Sequence, residues 1–223
     1  MREKTMPRTI LLILALLITP ALQAQPSAND AIQSLKNGAL VMRLPTYAKK
    51  IAALEDIIAR NSDEASVRRA RTLLEQTVTE TKEENLRIIR SFREFYDFSA
   101  VYFMYDTSLT ALSKGARKGI FLQDDLSPDP TLSLQSDQFI IAQIGYTDPA
   151  TTARAEALIL TDLSLKRIEA PFPSAIRYNT LSELFGLKDT AREKQIKLLN
   201  KRLKQVEIRG PRATSSPPAN YQP

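Results

Sequence analysis

Apolar positions along the chain fall into runs, alternations and helical stripes. Ile10 to Ile18 is an unbroken apolar run of nine residues, preceded by Arg2, Lys4 and Arg8 and broken by Thr19-Pro20. Asp30 to Asn37 has room for one or two helical turns. Gly38 to Leu44 reads as a strand between Asn37-Gly38 and Pro45. Two helical patterns come next. The first covers Tyr47 to Arg60, with Ile51, Leu54, Ile57 and Ile58 on one stripe. The second covers Ser62 to Phe95, with apolar or small residues at 67, 70, 74, 78, 81, 85, 88, 92 and 95. Asn61 with Glu64 resembles a capping box between them. This stripe is polar at Thr81 and Asn85 and crowded from Ile88 to Tyr96, so its C-terminal end should be rooted in the core.

Beyond Asp97 the period changes. Ala100 to Tyr105 is apolar on both faces, which predicts a central strand covered on two sides. Ser108 to Lys114 suggests a helical turn, and Gly119 to Leu122 and Gln138 to Ile144 suggest strands. Glu156 to Thr161 and Leu165 to Ala170 should pair as a hairpin. Asp148-Pro149 marks a turn. Thr180 with Glu183, and Thr190 with Glu193, are capping boxes for two last helices, the second running from about Ala191 to Val206 with Ile196, Leu199, Leu203 and Val206 inward.

The resulting order predicts an α/β fold, with α+β as the alternative arrangement. A mixed sheet of about five strands is covered by helices, and a long antiparallel helical hairpin is inserted between the first two strands. Those two strands can lie parallel because the hairpin supplies a long crossover. The expected organisation is a leader over 1–24, one domain over 25–208 with the hairpin at 46–97, and a disordered, proline-rich tail over 209–223.

The leader sets the compartment. Its basic start, short apolar run and Ala21-Leu22-Gln23-Ala24 end read as a secretory signal cleaved after Ala24, with Ala21 as the alternative site and an uncleaved anchor as the rival reading. The apolar run is well short of the roughly 20 residues of a membrane span. The mature protein is thus expected outside the cytoplasm, periplasmic or secreted, with no transmembrane helix after cleavage. Cleavage leaves 28 basic against 24 acidic residues, a net +4. The charges are interleaved, so nucleic acid is not the expected partner.

Composition then removes chemistry. The chain contains no cysteine, histidine or tryptophan. Disulfides, thiol nucleophiles, Ser-His-Asp and Cys-His catalysis and His- or Cys-bound zinc are excluded. The six glycines form neither GxGxxG nor a P-loop. Gly115 and Gly119, with Arg117 and Lys118 between them, suit a basic turn before a strand better than an anion site. No serine stands in a Ser-x-x-Lys or Gly-x-Ser-x-Gly setting.

Four features remain. Asp124, Asp125 and Asp129, with Asp137 beyond, could hold calcium through oxygen ligands or act as paired carboxylates; Asp- and Pro-rich turns also need no ligand. Phe92, Phe95, Tyr96, Phe98, Tyr102, Phe103 and Tyr105 could line a pocket or simply join the long helix to the sheet. Arg192, Lys194, Lys197, Lys201, Arg202 and Lys204 should lie opposite the apolar stripe of the last helix, as a solvated face or a membrane-surface face. The hairpin offers an elongated contact surface. The expectation is a non-catalytic binding or protein-interaction module without a cofactor, its partner another envelope or extracellular protein. The alternatives are a carboxylate-dependent enzyme or calcium-dependent binder using the aspartate loop, and a membrane-surface protein using the last helix.

Overall fold

A computed structural model describes residues 27–147, 155–179 and 186–209. The expected leader, most of the tail, the Asp148-Pro149 turn and most of the Thr180 helix lie outside these residues. The fold is α/β, built on one five-stranded mixed sheet.

Helix α1 (Ala28–Asn37) begins two residues before its expected start because Ser27 and Asp30 form a reciprocal capping box. It ends at Gly38, where the backbones of α1 and the sheet meet. A Cβ there would lie 1.8 Å from the Gln138 carbonyl oxygen and 2.6 Å from that of Ser34. Next to it, the Ala39 N–H donates to Gln138 O at 3.1 Å, opening the parallel ladder between β1 (Ala39–Leu44) and β3 (Phe139–Tyr146).

The hairpin follows β1 as expected: α2 (Ala48–Arg60) and α3 (Glu64–Phe95). The cap of α3 is Asp63, whose carboxylate accepts from the N–H groups of Ala65 and Ser66. Asn61 instead accepts from the Asp63 N–H at 2.9 Å and shapes the turn. Leu54, Ala70 and Thr77 are buried within the hairpin. The root of α3, from Leu86 to Phe95, packs in the main core.

Strand β2 (Ala100–Tyr105) returns parallel to β1, and the order across the sheet is β2-β1-β3-β4-β5. This corrects one expectation. β2 is covered on both faces, with Phe103 in one core and Met104 in the other, yet it is an edge strand; the central parallel strand is β1. Gly119 to Leu122 is also not a strand of the sheet. Leu122 makes one antiparallel bridge to Phe103, its N–H donating to Phe103 O at 2.9 Å, which covers part of the open edge.

The chain then passes a short helix α4 (Leu109–Ser113) and a long loop to reach β3. Strand β4 (Glu156–Thr161) pairs antiparallel to β3, and β5 (Ala175–Arg177) antiparallel to β4. The expected Leu165–Ala170 strand reduces to a single bridge between Thr161 and Arg167. Leu165 has a φ of 61°, which turns the backbone out of extended geometry.

The last helix, α5 (Lys188–Arg209), buries Ile196, Leu199 and Leu203 as expected and packs Val206 against the same core. One face of the sheet is therefore covered by α1, the root of α3 and α5 over Leu40, Met42 and Leu44. The other is covered by α4 and the loop after it, through Leu112, Phe121 and Leu134 over Val41 and Ile141. Among the described residues no helix is long and apolar enough to cross a membrane.

Candidate functional site

The topology itself singles out one edge of the sheet. From β1 the chain crosses over the α1/α3/α5 face to reach β2. From β2 it crosses over the opposite face to reach β3, on the other side of β1. The two crossovers therefore lie on opposite faces, and the strand order reverses at β1, whose carboxyl end lies beside that of β3. A cleft of about 370 Å³ lies there, bounded by Pro45 and Ile144 from the strand ends, by the middle of α3, by Glu156 and Tyr178 and by the start of α5. Its size is within the roughly 300–1,000 Å³ of small-molecule sites.

The β1–α2 junction is held in place by neighbouring elements. Thr46 donates to Asp106 Oδ1 at the end of β2, through its hydroxyl at 2.6 Å and its N–H at 3.2 Å. Asn85 Nδ2 of α3 donates to Pro45 O at 2.9 Å. These bonds fix Tyr47 in the left-handed region, φ 51°, with its side chain at the mouth of the cleft and 53% exposed. A tyrosine held there is strained, and such strain concentrates at functional positions. Its hydroxyl is raised above 10.0, first by burial and then by the negative charge of Glu156 and Glu84, so it remains a protonated donor.

Arg192 organises the floor. It is only 3% exposed, although it belongs to the helix face expected to be solvated. Its guanidinium pairs with Glu84 of α3 and with Glu156 of β4, the latter at 3.0 Å. It also donates to Gln195 Oε1 at 2.6 Å and lies 4.3 Å from the centre of the Tyr178 ring. Gln195 in turn donates to the Ile176 carbonyl at 2.7 Å. The Arg192 Nε is buried without a hydrogen-bond partner. Beside this group, Arg87 joins Glu84 at 2.5 Å to Asp189 at 2.6 Å. Burial opposes the Arg87 charge, but hydrogen bonds to Asp189 and Glu84 outweigh it, and its pKa is raised. One ionic network therefore ties α3, β4 and α5 together below the cleft.

The residues singled out by sequence are placed elsewhere. Asp124 pairs with Arg93 at 2.8 Å. Asp125 accepts from the Ser127 hydroxyl and N–H, and Asp129 from the Thr131 hydroxyl and N–H and from Gln123. The Ser127 and Thr131 hydroxyls, followed by the N–H groups of the same residues, hold these two carboxyls below 3.8. Asp137 pairs with Arg117 at 2.9 Å. Among the described residues no three carboxylates gather into a group that could hold a metal ion.

The aromatic residues divide between the two cores. Phe92, Tyr96 and Phe103 pack edge to face in one, and Tyr102 packs on Phe121 in the other. The basic face of α5 is also divided. Arg192 is internal, Lys197 lies over the Phe95 ring, and Lys204 pairs with Asp97 at 2.6 Å; Lys194, Lys201 and Arg202 are exposed. Arg117 donates to Leu112 O and Ala116 O as well as to Asp137, so the Gly115–Gly119 segment is a tied turn.

Sequence reading missed the Arg192 network because its members lie 36 and 108 residues apart along the chain. One signal was present. Arg192 is four residues before Ile196 and seven before Leu199, on the buried stripe itself.

The chain matches no family model, no curated protein and no solved structure.

Proposed function

We propose that this protein is an exported, non-catalytic binding module, and that the cleft between β1 and β3 is where it holds a small zwitterionic ligand. The observation that carries this reading is the character of the cleft. It is open, sits at the topological switch point and has a floor already ordered by Arg192. Among the described residues it also presents charges of both signs that no ion pair satisfies, Lys50 from α2 and Glu83 from α3. A molecule with a carboxylate and an ammonium group complements that pair, and the exposed ring of Tyr47 gives it an apolar edge to lie against. The absence of histidine and cysteine from the chain supports binding over nucleophilic or imidazole-based chemistry.

The test is calorimetric titration of the purified protein with free amino acids, alongside acetate and an alkylamine as single-charge controls. The reading expects saturable binding of a zwitterion, a loss of at least about tenfold in Lys50→Ala or Glu83→Gln, and little binding of either control. A tenfold loss corresponds to about 1.4 kcal/mol. Equal binding of zwitterion and controls, or no binding of any, rejects it.

A further inference from the structure

We propose that the hairpin arm is a self-association surface, and that its occupant is the same arm of a second copy lying antiparallel to it. From Glu64 to about Thr81, α3 contributes nothing to either core of the domain and is packed only along the thin seam with α2. Away from that seam runs a second stripe at helical spacing: Ala65, Arg69, Thr72, Gln76 and Glu80. Farther along the helix the same stripe meets α5: Arg87 pairs with Asp189 at 2.6 Å, and Arg90, still largely exposed, lies 3.9 Å from it. From Ala65 to Glu80 it is exposed, apart from the half-buried Ala65 itself, and it extends for about 23 Å at 1.5 Å per residue. The Arg87 contact with α5 shows what kind of partner fits this stripe, namely another helix.

Charge selects which helix. Arg69 stands near the tip and Glu80 near the root, and among the described residues neither is in an ion pair. Arg69 and Glu80 are eleven residues apart, close to three full turns, so they project on one side of the helix. A two-fold axis between Leu74 and Glu75 sets Arg69 of each copy opposite Glu80 of the other and repeats the contact by symmetry. Thr72 and Gln76 sit near that axis and can hydrogen-bond across it, with Leu73, 42% exposed, beside them. A parallel pairing would set Arg69 against Arg69 and Glu80 against Glu80. The same charges that favour the antiparallel arrangement disfavour this one.

Sedimentation equilibrium of the purified protein, from micromolar to about millimolar concentration, tests the proposal. The mass should rise toward twice that of the monomer, and dissociation should become easier as salt screens the pairs. Arg69→Glu and Glu80→Arg should each raise the dimer dissociation constant at least about tenfold. The double exchange should return it to within about threefold of the original. Unchanged thermal melts will confirm that the exposed substitutions leave the fold intact. A monomer at every concentration overturns the proposal. So does a dimer indifferent to both single reversals, or a double exchange that fails to restore association.

Discussion

Replacing Arg192 by Met keeps the length of the side chain and removes its charge. In the native protein Arg192 is 3% exposed, while the Glu84 and Glu156 side chains are 28% and 36% exposed. Breaking a fully buried ion pair from one side costs about 3–5 kcal/mol, because the charge left behind is uncompensated. Here Glu84 keeps Arg87 as a partner and Glu156 reaches solvent, so the lower end applies. The Gln195 oxygen also loses its donor, and Tyr178 its cation. We expect a loss of about 3 kcal/mol, which for a chain of this size lowers Tm by about 6–12 °C. Arg192→Lys should lose about half as much, since one ammonium cannot reach Glu84, Glu156 and Gln195 in fork geometry. Combining Arg192→Met with Glu156→Gln should recover most of the loss, because Glu84 keeps Arg87 as its partner and no stranded charge remains. The assay is urea unfolding followed by far-UV circular dichroism, with calorimetry for Tm. A loss below about 1 kcal/mol for Arg192→Met, or no recovery in the double variant, would refute the idea that this network holds α3, β4 and α5 together.

Other consequences are as direct. Gly38→Ala should destabilise by more than about 3 kcal/mol, because the new methyl group meets backbone oxygens of both Gln138 and Ser34; chemical denaturation will show it. Phe92→Ala should cost about 3–5 kcal/mol, since its ring is fully buried against Tyr96 and Phe103. Stability should fall at both ends of the pH scale. Asp63, Asp97, Asp125 and Asp129 have carboxyls lowered below 3.8, mainly by hydrogen bonds, so their contribution is present above that pH and lost as pH falls through their folded values. The Tyr96 hydroxyl is raised above 10.0 by burial, so its contribution is present below pH 10.0 and lost as pH climbs beyond it. A Tm profile flat down to pH 2 would contradict the acid limb. Calcium and a chelator should each leave Tm unchanged, because the oxygens of Asp124, Asp125 and Asp129 already accept from Arg93, Ser127 and Thr131; a calcium-dependent rise of several degrees would restore the metal reading of that loop.

Much of the fold was legible because period and punctuation are local. The bounds of α2 and α3 follow from the stripe through Leu54, Ala70 and Ile88 and from the turn at residues 61–63. Strands β2 and β4 were bounded correctly by composition alone. The errors arose where the deciding contact is distant. Ala100 to Tyr105 looks central because both its faces are covered, yet strand order depends on which neighbour β1 and β3 find, and the period of a strand carries no such information. Strand β5 has three residues, too few for a pattern, and it took the place expected for Leu165 to Ala170. The α3 cap shifted from Asn61 to Asp63 because both residue types cap well and only geometry separates them. The site was almost invisible. Tyr47, Glu84, Glu156, Tyr178 and Arg192 come from five separate stretches and share no motif, and Arg192 was grouped with solvated lysines although its spacing places it on the buried stripe.

Amide chemical-shift mapping of the isotope-labelled protein during titration with a zwitterionic amino acid tests the central claim most directly. Perturbed amides should converge from distant segments on one place: residues 45–50 at the end of β1, 80–87 on α3, Glu156, 177–178 and 188–192 at the start of α5. Shifts gathered instead around residues 124–129 or along the exposed face of α5 would contradict the assignment of the cleft, as would a spectrum that does not move at millimolar ligand.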